Sequence, residues 1–187
     1  MRLFVGINPS DGVRDAISGF IATLESADRA DRGKIRFTSP DNIHLTLKFL
    51  GETDPARIPL IDDALSRISM EPFTVTVFGA GGFPSATNEA QILWTGTKRS
   101  EPLSRLAGLT ERVLEPAGFQ RETRPFAPHF TIARTRGKAG DGVIRLIRAN
   151  GNTDFGSFDV DAVHLYVSES APGGVRYRKL SRFGLAK

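Results

Sequence analysis

One four-residue frame occurs twice in this chain. It is His44-Leu45-Thr46-Leu47 within NIHLTLKFLG and His129-Phe130-Thr131-Ile132 within PHFTIAR. The chain has three histidines, and two of them occupy this frame, 85 positions apart. Successive side chains of a strand point to opposite faces. The alternation therefore predicts His44, Thr46 and Lys48 on one face, with Ile43, Leu45, Leu47 and Phe49 on the other. His129 and Thr131 likewise share a face, with Phe130 and Ile132 packed behind. The fold must then accommodate two strands that each present an imidazole and a hydroxyl together, on an apolar back.

The flanks repeat as well. RLFVGIN (residues 2–8) reads as a strand stopped by Pro9, followed by a helix capped by Ser10 or Asp11, with Val13, Ile17, Phe20, Ile21 and Leu24 at helical spacing. KIRFTSP reads as a short strand. After the first motif, Asp54-Pro55 begins a helix reaching about Ser69, and FTVTVF begins a strand that runs into the glycine cluster Gly79–Phe83. That cluster lacks the Lys-Ser/Thr of a phosphate loop and reads as a turn. In the second half, AQILWTG is a strand and Ser100 caps a helix ending near Gly118. The second motif strand follows, then a short helix closed by Gly151, a strand FDVDAVHLYVSES and a last strand VRYRKLSRFGL. Both halves thus read strand, helix, His-bearing strand, helix, strand. The expectation is an α+β fold over residues 1–187. It is a single bilobal domain of duplicated, pseudo-two-fold lobes, with antiparallel sheets around a central groove, helices outside and the motif strands facing each other.

Composition narrows the chemistry. At 187 residues, 40% apolar and 25% charged, the chain can bury a substantial core. It has no cysteine, which excludes disulfides, thiolate metal sites and a cysteine nucleophile. No apolar run approaches the roughly 20 residues of a membrane span, and the N-terminal run is too short for a signal-peptide core. A soluble cytoplasmic protein is expected. The net charge of +4 favours polyanions. Its mild clusters, at residues 29–36, 134–138 and 176–182, serve equally as solvated loops.

Two imidazoles and two hydroxyls in one cleft suit phosphodiester chemistry. Histidine titrates near neutrality, so one ring can be neutral while its partner is protonated. The hydroxyls can donate to the non-bridging oxygens, where charge accumulates. Neither histidine has a second ligand at metal spacing, so no metal or other cofactor is expected. The third histidine, His164 in VHLYVS, lacks the threonine and is assigned no role. No Gly-x-Ser-x-Gly elbow is present.

Paired His-x-Thr-x motifs with these flanks resemble the two-histidine (2H) phosphoesterase superfamily. Within it, RLFVGIN, NIHLTLKFLGE, PFAPHFTIAR and the closing LYVSES…GGVRYRKLSRFGL resemble the LigT-like branch, the RNA 2',3'-cyclic phosphodiesterases. The resemblance runs over nearly the whole chain. It implies metal-free opening of an RNA 2',3'-cyclic phosphate to a 2'-phosphate, and 2'-5' RNA ligation when an RNA 5'-hydroxyl replaces water. It further implies a cofactor-free monomer, not bound to membranes, that acts on RNA ends such as those of tRNA fragments. Carried over by position, His44 protonates the departing O3', His129 takes the proton of the attacking water, and Thr46 and Thr131 hold the phosphate. Arg134 matches an active-site arginine of the family. Strict alternation puts it on the face opposite His129, and a strand end or bulge near Ala133 brings it round. A surface arginine in a basic turn is the other reading. Tyr177 matches a family tyrosine and can contact a base or sit in the core or rim. Phe37 stands where the family favours Trp, for stacking or for core packing. Other cyclic phosphates, 2'-5' oligonucleotides, or RNA-end binding without catalysis are the rival readings.

Overall fold

The computed structural model describes residues 1–30, 35–172 and 174–186. Asp31–Lys34, which belong to the first basic cluster and the start of the predicted KIRFTSP strand, lie outside them. The chain runs β1 (Arg2–Ile7), α1 (Asp11–Ala30), β2 (Ile35–Phe37), β3 (Leu45–Glu52), α2 (Ile58–Ser66), β4 (Phe73–Phe83) and β5 (Ile92–Thr97). It continues with α3 (Glu101–Leu114), β6 (His129–Thr135), α4 (Asp141–Ala149), β7 (Asp154–Val160), β8 (Ala162–Ala171) and β9 (Gly174–Gly184). Short 3-10 turns lie at Pro40–Asn42 and Pro55–Arg57.

The predicted caps form. Ser10 Oγ accepts from Val13 N, Asp54 Oδ1 from Ala56 N at 2.9 Å, and Ser100 Oγ from Leu103 N at 3.3 Å. The helical stripe of α1, from Val13 through Ile17 to Leu24, is buried in one core cluster with Leu3, Val5, Ile7, Leu45, Phe130 and Ile132. That cluster lies between helices and sheet.

The fold is α+β, and among the described residues four α-helices lie on a curled antiparallel half-barrel sheet. Among the described residues, nine strands form one continuous sheet in the order β7-β4-β5-β6-β3-β1-β8-β9, with β2 added to β6. The motif strands are therefore neighbours in one sheet, and do not face each other across a gap. Leu45 pairs with Phe130 at their seam. β2 takes over the same edge of β6 further along, pairing Phe37 with Ala133.

The two halves of the chain are also exchanged. β4 follows the first motif in sequence but pairs with β5 and β7 of the second half. β8 belongs to the second half but pairs with β1. α1 packs on β7 and α4, and α3 packs on β3 and α2.

Two local expectations change for the same reason. FDVDAVHLYVSES is two strands broken at Asp161, because β7 serves the β4 side of the sheet and β8 the β1 side. Residues Gly79–Phe83 continue strand β4 and do not form a turn. A Cβ at Gly81 would stand 2.3 Å from the Trp94 ring on β5, so the glycine makes room for the indole inside a strand.

Candidate active site

At the β3–β6 seam the antiparallel register sets Thr46 beside His129 and His44 beside Thr131. All four side chains are half-buried, while Leu45, Leu47, Phe130 and Ile132 beneath them are buried. The sequence-predicted quartet is thus brought together on the face away from the core.

Both rings are held alike. His44 Nδ1 lies 2.7 Å from the carbonyl oxygen of Asn42, and His129 Nδ1 lies 2.7 Å from that of Ala127. A carbonyl only accepts, so each Nδ1 carries a proton and, in the neutral ring, each Nε2 is left as the lone-pair nitrogen. His44 Nε2 is 3.0 Å from Thr46 Oγ1.

Burial is the main cause that lowers both imidazoles. His44 is brought from 6.5 to about 4, with smaller downward pushes from the charges of His129 and Arg134. His129 is lowered by burial and by Arg134. The Arg134 charge thus acts on both rings.

Arg134 reaches them through a bulge. Ala133 pairs with Leu93 and Thr131 with Trp94, so Ile132 is the extra residue of β6. Ile132 and Ala133 are both fully buried, and the side chain of Arg134 returns to the His129 face. The first motif does the same. Val5 pairs with Lys48 and Gly6 with Thr46, so Leu47 is the extra residue of β3. Leu47 and Lys48 are both buried. This overturns the alternation expected for Lys48 and Phe49. The Lys48 ammonium lies on the helix side, 2.5 Å from Glu111 Oε2 of α3 and 2.7 Å from the Gln120 carbonyl. Phe49 stands on the histidine face, opposite Phe4, and is 70% exposed.

Tyr177 of β9 lies edge-on to His44, with ring centroids 4.9 Å apart. Asn42 places it there. The Asn42 amide donates to Val175 O at 2.6 Å, and its Oδ1 accepts from Tyr177 N at 3.0 Å. Phe37 is not brought to the site. It pairs with buried Ala133 and packs against the core beside Ile21 and Ala22 of α1, because β2 joins β6 beyond the bulge.

Several residues at the site were not singled out by sequence reasoning. Phe4 packs on His44 at 4.6 Å, across Gly6, where a Cβ would stand 2.8 Å from Leu45 O. Phe83 meets His129 edge-on at 5.1 Å. Tyr166 stacks on Phe4 at 4.8 Å and donates its hydroxyl to Asn8 Oδ1. Burial holds that phenol above its ordinary range. The small residue Gly6 in an otherwise apolar strand was the one available signal.

Among the described residues, no group of three or more His, Asp or Glu side chains is placed to hold a metal ion. No helix among them is long and apolar enough to cross a membrane.

Two imidazoles, two hydroxyls and a guanidinium on one sheet face are the equipment of a phosphoesterase. The chain belongs to the LigT-like phosphoesterase family, which it matches over residues 7–94 and 97–177. It is 30% identical over 183 residues to the RNA 2',3'-cyclic phosphodiesterase of Archaeoglobus fulgidus, covering 98% of this chain and 99% of that one. The crystal structure of TT0787 of Thermus thermophilus superposes with a TM-score of 0.81 at 26% identity, covering 99% of this chain and 98% of that one. The structure of E. coli LigT complexed with 3'-AMP superposes at 0.76 and 27% identity, covering 100% and 98%.

Proposed function

We propose that this protein is an RNA 2',3'-cyclic phosphodiesterase that works with a two-histidine acid–base pair. The observation that carries this reading is the matched pair of imidazoles, each with its Nδ1 on a carbonyl and its Nε2 left for chemistry. His129 Nε2 takes a proton from water. The water oxygen bonds to phosphorus, the P–O3' bond breaks, and the Nε2–H of His44 protonates O3'. The products are a 2'-phosphate and a 3'-hydroxyl. Arg134 and the two threonine hydroxyls meet the charge on the non-bridging oxygens. An RNA 5'-hydroxyl in place of water gives a 2'-5' linkage by the same steps.

Protonation of His44 also redirects Thr46. When the ring is neutral, the Thr46 hydroxyl donates to Nε2. When the ring is charged, Nε2 no longer accepts; its N–H turns to O3', and the Thr46 hydroxyl proton is free for a non-bridging oxygen of the phosphate. Burial opposes that charge in the free protein, and the anionic phosphodiester restores it.

The pH profile tests the pair. The active form carries one proton on two rings that both titrate below 6.5, His44 at about 4. It is most populated between the two values, so kcat/KM peaks on the acid side of 6.5. The bound phosphate raises both, so the kcat optimum lies at higher pH. A kcat/KM that is flat from about pH 4 to 8, or peaks well above 7, contradicts the pair.

A further inference from the structure

We infer that the cavity beside His164 is a second phosphate subsite, which holds a backbone phosphate of the RNA strand upstream of the reacting end. The inference rests on the RNA-end reading above and extends the substrate beyond its terminal nucleotide.

The cavity, of about 740 Å³, lies where the start of α1, the β7–β8 corner and β9 meet, outside the catalytic quartet. Asn8, Arg14, Asp159, His164 and Lys179 are among the residues that line it. His164 is the residue that points to a ligand. It is 8% exposed, its Nδ1 is fully buried, and neither ring nitrogen is hydrogen-bonded among the described residues. A buried polar group is normally paired. A neutral imidazole has one donor and one acceptor to place, and this ring finds a partner for neither in its own chain. The cavity is the side from which a partner can come.

The charges of the cavity select an anion. Asp11 is met by Arg14 at 2.6 Å, and Asp161 by Arg182 at 2.9 Å. Asp159, on the β4–β7 side, accepts from the Thr74 hydroxyl at 2.6 Å. Of the two cations that line the cavity, Arg14 is thus occupied, and Lys179 has no ion pair among the described residues. A bulge sets its place. Leu165 pairs with Ser181 and Tyr166 with Lys179, so Leu180 is the extra residue of β9. Ser181 turns to the helix side and donates to Asp62 of α2, while Lys179 stands beside Tyr166 on the histidine face. Burial, then the charges of Lys179 and Arg182, lower the His164 imidazole to about 4, so the ring and the cations converge on one spot.

Position makes that anion part of the substrate. Thr46, Gly6 and His164 are register partners on three successive strands, β3, β1 and β8. Neighbouring strands lie about 4.8 Å apart, which puts His164 about 10 Å from Thr46 across the same face. Tyr166 spans the interval. Its ring is 6.0 Å from that of His44 and 5.9 Å from that of His164, and its hydroxyl donates to Asn8 at the cavity wall. An RNA strand whose end lies at the catalytic histidines carries further phosphates at that reach.

The test compares a mononucleoside 2',3'-cyclic phosphate with a longer RNA of the same end, the latter also with single linkages replaced by uncharged methylphosphonates. Fluorescence anisotropy gives Kd for labelled RNA over a range of salt, and competition gives it for the mononucleoside and for inorganic phosphate. In wild type, Kd tightens with length, and one methylphosphonate near the reacting end weakens binding more than the others. K179A, at an exposed position, raises Kd for the RNA by roughly five-fold and lowers the salt slope by about 0.7, one contact on a single strand. K179R restores both. H164F keeps a ring but removes the unpaired nitrogens. It weakens the RNA as K179A does without lowering the melting temperature. In K179A and H164F the same methylphosphonate costs nothing further. Unchanged Kd and salt slope in K179A, or an equal loss on the mononucleoside, overturns the inference. So does inorganic phosphate binding that depends on Lys179 while RNA length gains nothing, since the cavity then takes a free anion. Wild-type protein that binds the RNA but turns over neither substrate instead overturns the phosphodiesterase reading, and the salt slopes and methylphosphonates still decide the subsite. Wild type that does not bind RNA overturns both.

Discussion

Alanine at His129 lowers kcat on an RNA 2',3'-cyclic phosphate by roughly 10²–10⁴-fold, the usual contribution of a positioned general acid or base. His129→Ala is the cleaner of the two histidine variants. The ring gives up one bond to the Ala127 carbonyl, which is exposed, and one edge contact with Phe83. The thermal transition should therefore stay close to that of the wild type. His44→Ala falls in the same range of activity but also removes a ring packed against both Phe4 and Tyr177. The double variant loses little more than either single one, because the two groups act on one proton transfer sequence. Full turnover in either folded variant would remove that histidine from the chemistry. Steady-state kinetics paired with circular dichroism melts provide both readouts.

Glu111→Ala is expected to be the most destabilising change made outside the apolar core. The bulge that frees Phe49 drives the Lys48 ammonium inward, where its side chain is 5% exposed and that of Glu111 is 18% exposed. Glu111 and the Gln120 carbonyl are its partners. Removing the carboxylate leaves a buried cation with one neutral acceptor, at a cost of about 3–5 kcal/mol. The melting temperature of a chain this size falls by about 2–4 °C per kcal/mol, so a drop on the order of 10 °C is expected. Lys48→Met combined with Glu111→Leu recovers most of it, since a buried ion pair is commonly replaced by apolar residues at little cost. A drop of less than about 2 °C for Glu111→Ala would mean that water reaches Lys48 and that the bulge buries no charge.

The same bulges mark where the sequence stops being readable. Period-two alternation places His44, Thr46, His129 and Thr131 correctly, because all four precede the irregularity. Beyond the threonines it inverts. Neither Leu47-Lys48 nor Ile132-Ala133 contains a glycine or proline, so nothing local announces the extra residue. Arg134 met the condition set for it, a bulge near Ala133. Phe49 was misplaced for lack of the same condition in the first motif.

Helix caps were legible because they are local, each made within three residues. Strand pairing was not. The duplication is visible as repeated element order, yet β4 and β8 cross to the opposite half through contacts that no short window contains. The glycines of β4 read as a turn because their partner, the Trp94 ring, lies on another strand. Asn42 stands two residues before His44, but the backbone it clamps lies 133 residues away at Val175.

The most direct measurement is the position of the phosphate in the product. The purified protein is incubated in EDTA with a short RNA ending in 2',3'-cyclic phosphate, and the product end is identified by phosphorus NMR. A 2'-phosphate with a free 3'-hydroxyl is the predicted result, with O3' leaving and the two histidines moving the protons. A 3'-phosphate, or no product from folded protein that binds the RNA, would contradict the account.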